Sequence, residues 1–300
     1  MNAKDVLRAA SRISVAVKRV VLHEEYAVLQ YAVDEIANLH ALIRYLLPES
    51  PGYQAHIAQT RASFDYQWKN VFGADLPAAT DDFKADAASL IETYTGFPID
   101  WFRGKDVLDA GCGNGRWSWA LGTAGATVTA VDQSEAGVAA ATGTCTGFPG
   151  FRALRHDLLK PLDLAQEFDL VWSFGVLHHT GDTRTALTNV AACVKPGGYL
   201  YLMLYGEPRW LHPGEFRSIN RYNEMRQTLA PMGFDERAEF LRSKLGDWDG
   251  RNWFDAASPS INDLHRRSEI AEWLHQLGFT DLRFTCPETR NIHVVAKRRG

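Results

Sequence analysis

The sequence predicts an α/β fold built on a mostly parallel sheet, and three observations carry that expectation. Between residues 105 and 204 short apolar runs alternate with helical stretches, as βαβ units require, each helix about 10–15 residues long. An apolar strand pattern, Val107-Leu108-Asp109-Ala110, passes directly into a glycine-rich turn, Gly111-Cys112-Gly113-Asn114-Gly115. The chain also closes on a helix and two strands whose short connection contains Pro287, which suits an antiparallel hairpin.

Taken in order, strands are predicted at 105–110, 127–131, 151–156, 169–174 and 199–204. Helices are predicted at 115–125, 134–142 and 186–194, with Lys195-Pro196-Gly197-Gly198 as a turn before the fifth strand. A polar, aromatic insertion at 206–267 interrupts the pattern and is expected to form a lid over a small-molecule pocket. The pattern resumes with a helix at 268–277, closed by Gly278, and strands at 281–285 and 293–297. Upstream, residues 3–47 lack Gly and Pro, and Leu22, Leu29, Ile36 and Ile43 recur every seven residues, so one or two long helices are expected. Residues 53–103 are rich in aromatics and read as short helices capping one end of the sheet. The domain plan is therefore a helical extension (1–50), an aromatic cap (51–103), a core (104–205), a lid (206–267) and a closing core segment (268–300).

Composition narrows the function classes. A chain of 300 residues with 46% hydrophobic and 23% charged residues has the make-up of an ordinary globular protein. A net charge of -4 gives no global field for nucleic acid, so no nucleic-acid partner is expected. Cys112, Cys145, Cys193 and Cys286 are widely spaced without a C-x-x-C pair, which argues against a metal site and suits a reducing, cytoplasmic setting. No apolar run reaches the roughly 18 residues of a membrane span. Residues 1–21 carry Lys4, Arg8, Arg12, Lys18 and Arg19 against Asp5. They suit peripheral contact with an anionic membrane, an organelle targeting peptide, or packing on protein. The apolar stripe over 3–47 suggests a subunit contact and hence a homo-oligomer, a dimer in the simplest case.

The glycine turn is the strongest chemical signal. It lets a ligand approach the backbone, and the helix it opens offers free N–H groups to an anionic ligand. Asp132, at the end of the second strand beside Gln133, can accept hydrogen bonds from both hydroxyls of a ribose. A turn with no ligand, or a nicotinamide dinucleotide site, would explain these two features alone.

The D-x-G-x-G-x-G form, from Asp109 to Gly115, resembles motif I of the class I S-adenosylmethionine-dependent methyltransferases. His156-Asp157-Leu158 matches the adenine-edge position, Phe168-Asp169-Leu170-Val171-Trp172-Ser173-Phe174 resembles motif IV, and Val194-Lys195-Pro196-Gly197-Gly198 resembles the turn before strand five. The closing hairpin resembles that family's reversed seventh strand. Phe64-Asp65-Tyr66-Gln67-Trp68 resembles an F-x-x-Q-W segment of some small-molecule methyltransferases. The resemblance implies a Rossmann-like sheet of seven strands, mostly parallel, with an antiparallel last strand. It implies S-adenosylmethionine as cofactor and S-adenosylhomocysteine as product. Its cofactor residues would be Asp109, Gly111, Cys112, Gly113, Asn114, Gly115, Asp132, Gln133, Asp157, Leu158, Ser173 and Phe174, with Tyr66 and Trp68 over the amino-acid end.

The stretch Trp172-Ser173-Phe174-Gly175-Val176-Leu177-His178-His179-Thr180 is similar to the small-molecule, "type 11"-like group. The base-methylating [ND]-P-P-[FYW] turn is absent. A small-molecule hydroxyl (sugar, lipid or secondary metabolite) is therefore the expected acceptor, with N- or C-methylation as the alternative. An NAD-type dehydrogenase and a non-catalytic scaffold subunit are the readings from other classes. Hydroxyl acceptors call for a base. His178 and His179 follow the fourth strand, and His265 and Asp255 in the insertion are the rival candidates.

Overall fold

Alternating runs of apolar residues form a seven-stranded sheet with helices on both faces in the computed structural model, which describes residues 51–72, 79–164, 167–209 and 212–300. The chain divides into two compact units, Met1–Tyr53 and Gln54–Gly300, and the fold described below is that of the second. The basic stretch 1–21 and the apolar stripe 3–47 lie outside the described residues.

The strands are β1 (Asp106–Ala110), β2 (Thr127–Asp132), β3 (Arg152–Arg155), β4 (Phe168–Phe174), β5 (Val194–Leu204), β6 (Phe279–Phe284) and β7 (Ile292–Arg298). Their order is β3-β2-β1-β4-β5-β7-β6. The first five run parallel, and β7 is antiparallel to both of its neighbours. This is the expected Rossmann-like sheet with its reversed last strand. The order reverses between β1 and β4, and ligands of open α/β sheets gather beyond the carboxyl ends of strands at such a point.

Around the sheet lie α1 (Pro51–Tyr66), α2 (Asp81–Thr95), α3 (Arg116–Thr123), α4 (Glu135–Thr144), α5 (Thr183–Ala192) and α9 (Arg267–Gln276). The insertion contributes α6 (Pro213–Leu229), α7 (Phe234–Leu245) and α8 (Asp247–Ala257). Strand alternation divides the core into two layers. Leu108, Ala110, Val171, Leu200 and Leu202 pack with Leu187 and Val190 of α5 and Leu274 of α9. Val107, Leu170, Trp172 and Tyr201 pack on the other face with Ile91 of α2 and Leu121 of α3. A one-residue slip in β4 would exchange Val171 for Trp172 between these layers, so the register is tightly specified.

One local prediction is corrected. Residues 195–198 do not form a turn that precedes the fifth strand. They bulge within it: Val194 pairs with Phe168, and the next pair is Tyr199 with Leu170. The bulge is pinned by Lys195 Nζ, 3.3 Å from carboxylates of both Asp106 and Asp169.

The insertion has its own small core, in which Leu229, Leu241, Phe254 and Ala257 meet Val71 from the π-helical turn Gln67–Val71 that follows α1. Its two ends meet at a parallel bridge between Gly206 and His265. Among the described residues no helix is long and apolar enough to cross a membrane.

Candidate functional site

The site begins where β1 ends. Gly111 has φ 90° and Gly113 φ 51°, conformations that side chains disfavour. A Cβ on Gly113 would lie 2.6 Å from Cζ2 of Trp68, so the bare backbone sits directly against that ring. The turn is held to the sheet by Gly111 and Cys112, whose N–H groups donate to the Val131 carbonyl at 2.8 and 3.0 Å.

Asp132 organises the adjoining wall. Its Oδ2 accepts from Gly113 N–H at 2.9 Å, and its Oδ1 accepts from Ser134 N–H at 2.8 Å. Burial pushes its carboxyl above the usual range, and the two N–H donors oppose that shift. Ser134 in turn donates its hydroxyl to Asp65 of α1 at 2.7 Å. Asp157 accepts from Arg61 of α1 at 2.6 Å. Thus α1 crosses the carboxyl ends of β2 and β3 and closes the site from above.

The turn, Trp68, Asp132, Asp157 and Arg61 border a cavity of about 600 Å³. Its lining includes Gly111, Cys112, Gly113, Asn114, Asp132, Gln133, Asp157, Leu158, Phe174, Trp68, His179 and Asp255 from the predicted set. Six predicted residues do not line it. Asp109 turns into the sheet layer, where it accepts from Ser118 Oγ at 2.6 Å, and burial pushes its carboxyl up to about 7. Gly115 sits at the N-cap of α3, packed so that a Cβ would meet the Ala141 backbone at 2.7 Å. Ser173 donates to the Ala110 carbonyl at 2.9 Å. Tyr66 points to the insertion, where its hydroxyl donates to Asp235 at 2.5 Å.

The remaining two are histidines. His265 is buried between Glu269, at 3.0 Å from Nδ1, and Thr183, at 3.1 Å from Nε2. His178 and His179 share a 3-10 turn, Leu177–His179, after β4. Successive side chains of such a turn point about 120° apart. His178 is accordingly buried against the Tyr205 ring, centroids 3.9 Å apart, while His179 reaches the cavity.

His179 has a defined tautomer. Its Nδ1 lies 2.8 Å from the Ile261 carbonyl, which can only accept, so Nδ1 carries the hydrogen. Nε2 is left as a bare acceptor with no partner among the described residues. Burial pushes the imidazole below its usual range, opposed by nearby Asp255 and by the Ile261 carbonyl. Asp255, on α8, accepts from Gln67 Nε2 at 3.0 Å, and Gln67 Oε1 is buried without a partner.

Sequence reasoning missed Arg61, Arg116 and Trp117 of this lining. Arg116 and Trp117 had a signal: they directly follow the last glycine of the turn and open its helix. Arg61 lies in a featureless helical stretch and is brought to Asp157 only by tertiary packing. Among the described residues no cluster of three or more His, Cys, Asp or Glu is disposed to hold a metal.

A methyltransferase-domain family profile matches residues 84–283, two thirds of the chain. A ubiquinone biosynthesis O-methyltransferase of Coxiella burnetii is 33% identical over 158 residues, which are 49% of this chain and 62% of that protein. The chain therefore spans less than two thirds of that relative's length. The Pseudomonas syringae protein of the same description is 31% identical over 178 residues, 56% of this chain and 73% of its own. Among solved structures, a magnesium protoporphyrin IX methyltransferase of Synechocystis with bound SAM aligns at 18% identity, covering 81% of this chain and 97% of that one, with a TM-score of 0.48.

Proposed function

The chain belongs to the methyltransferase-domain family, within the class I S-adenosylmethionine-dependent methyltransferases, and from that premise we propose that it methylates a hydroxyl oxygen of a small-molecule acceptor. The residues present fit the cofactor. No side chain stands between Gly113 and the Trp68 ring. The Asp132 carboxylate has lone pairs beyond those taken by Gly113 and Ser134, and these would receive the ribose hydroxyls. Asp157 and Leu158 would meet the adenine edge, and the unpartnered Gln67 Oε1 would accept from the ammonium of the amino-acid end. When bound, the cofactor supplies a methyl group already activated by its sulfonium. The protein's share is then to hold the acceptor in line and to accept its proton.

The observation that carries the hydroxyl reading is His179. An imidazole that borders the cavity, fixed by the Ile261 carbonyl and with its buried Nε2 unpartnered, is a general base in waiting. Because its pKa lies below the ordinary 6.5, it is neutral, and able to accept a proton, throughout the neutral range.

The test pairs S-adenosylhomocysteine release against phenol, sugar, carboxylic-acid and amine libraries with the variant His179→Ala. Hydroxyl acceptors are expected to turn over. The variant should lose roughly 10²–10⁴-fold in kcat while keeping cofactor affinity. The acid limb of the wild-type kcat/KM profile should fall below pH 6.5, since the base works only when unprotonated. Products methylated only at nitrogen or carbon would overturn the hydroxyl reading.

A further inference from the structure

Resting on the methyl-transfer reading above, we infer that the acceptor carries a carboxylate, held by the Arg116 guanidinium together with the Trp117 indole N–H. These are the first two residues of α3, and both border the cavity. The Arg116 side chain is open to that space, yet it makes no ion pair within 4.0 Å among the described residues. It lies over the rings of Phe83, at 5.2 Å, and Trp117, at 5.4 Å. Trp117 is 8% exposed, and its Nε1 has no hydrogen-bond partner among the described residues. A buried indole N–H without an acceptor is costly, and native proteins rarely leave one so. Arg116 and Trp117 thus both border the cavity, the first without an anionic partner and the second with its buried indole N–H unpaired.

The groups beyond these donors have the opposite polarity. The side chains of His179 and Asp255 border the same cavity, and both carry acceptors. A hydroxy acid satisfies both sets: its hydroxyl donates to the base, and its carboxylate accepts from α3. A planar carboxylate also matches the fork of a guanidinium. Burial lowers the Arg116 pKa and Asp255 opposes that shift; a guanidinium stays charged in proteins.

The ring contacts of Trp117 lie on the side of α2 and β4, where it meets Phe83, Tyr94, Trp172 and Phe174. Gly113, Asp132 and Asp157 are tied instead to Trp68, Ser134 and Arg61. The carboxylate bound by α3 is taken as the acceptor's, and the S-adenosylhomocysteine affinity of Arg116→Gln separates it from that of the cofactor's amino acid.

The experiment measures binding of 4-hydroxybenzoate and of its methyl ester to the full chain saturated with S-adenosylhomocysteine, by calorimetry. The acid should bind at least about tenfold more tightly than the ester, as one charge-assisted contact predicts. Arg116→Gln should erase that preference, Arg116→Lys should keep part of it, and Trp117→Phe, which retains a ring, should lower it several-fold. Affinity for S-adenosylhomocysteine should stay within about twofold in all three. Equal binding of acid and ester, or no binding of the acid at millimolar concentration, overturns the inference. So does a loss of S-adenosylhomocysteine affinity in Arg116→Gln, which would hand the guanidinium to the cofactor. If the wild type fails to bind S-adenosylhomocysteine at all, the methyl-transfer reading falls. The acid-over-ester preference, measured without cofactor, then decides the carboxylate site alone.

Discussion

The wall of the cavity built on β1 and β2 and the wall supplied by the insertion are held by different kinds of interaction. On the sheet side, Asp132 is fixed by two backbone N–H groups, and Gly111 and Gly113 by backbone bonds and close packing. The bonds that fix the carboxylate and the turn there run between backbone groups and the ends of adjacent strands. On the insertion side, Asp255 is placed by Gln67, and Tyr66 by Asp235, pairs separated by 188 and 169 residues. The insertion's core is a satellite of five buried residues, distinct from the two layers on the sheet. A wall fixed by backbone groups, the proposed cofactor side, thus faces a proposed acceptor side whose geometry rests on a few long-range contacts, and single substitutions should act differently on the two.

The largest effect that would sharpen this contrast is expected from Asp132→Ala. It removes two acceptors for the ribose, each worth roughly 1.5–3 kcal/mol, so S-adenosylhomocysteine affinity should fall about 10²–10⁴-fold. Asp132→Asn, which keeps one acceptor, should recover part of the loss. Unchanged calorimetric affinity in Asp132→Ala would break the assignment of this wall to the cofactor.

A middle-sized effect concerns the floor's own stability. Ser118→Ala deprives buried Asp109 of its hydroxyl donor. Because burial raises the Asp109 pKa from 3.8 to about 7, its ionisation costs the folded state progressively as pH rises from about 4 towards 7. Ser118 offsets that cost most where Asp109 is charged. The variant should therefore lose about 1–3 kcal/mol at pH 8 and distinctly less at pH 5, read from denaturant midpoints. A loss independent of pH would contradict this account.

The smallest effect belongs to the insertion. Tyr66→Phe removes the bond to Asp235, which is solvent-exposed, and leaves the ring stacked near Phe254. It should cost about 0.5–1 kcal/mol in stability and leave S-adenosylhomocysteine affinity within twofold. A large loss of cofactor affinity would show that the two walls are not independent.

The same contrast governs what could be read in advance. The seven strands, the reversed β7, the glycine turn and the place of Asp132 at the end of β2 were all legible, because each is written in short runs of adjacent residues and in the family pattern they resemble. Asp109 was misjudged within that legible stretch: strand alternation turns it under the loop, to Ser118, while the turn itself faces the cavity. His178 and His179 could not be told apart by spacing, since the direction of a 3-10 turn decides which one reaches the cavity. The three helices of the insertion and the pairing of Gln67 with Asp255 were not legible, because they depend on contacts far apart in the chain. His265 carried the right chemistry for a base, but tertiary packing uses it to join Thr183 and Glu269 at the insertion's root.

That root has a consequence for how such a protein can be altered. The segment leaves the sheet after β5 and returns before α9 at one parallel bridge, Gly206 with His265, reinforced by Glu207 N–H on the His265 carbonyl at 2.9 Å and His265 N–H on the Tyr205 carbonyl at 3.0 Å. Whatever lies between the two points of that clasp adds chain without displacing β5 or β7, and lengthening a closed loop costs only about 0.6 kcal/mol per doubling. Residues 207–264 are thus tied to the rest of the chain at that clasp and again at the end of α1, through Tyr66 with Asp235 and Gln67 with Asp255. Transplanting the segment together with α1 and the turn that follows it into a sister scaffold should carry Asp255 in place while leaving the recipient's strands in register.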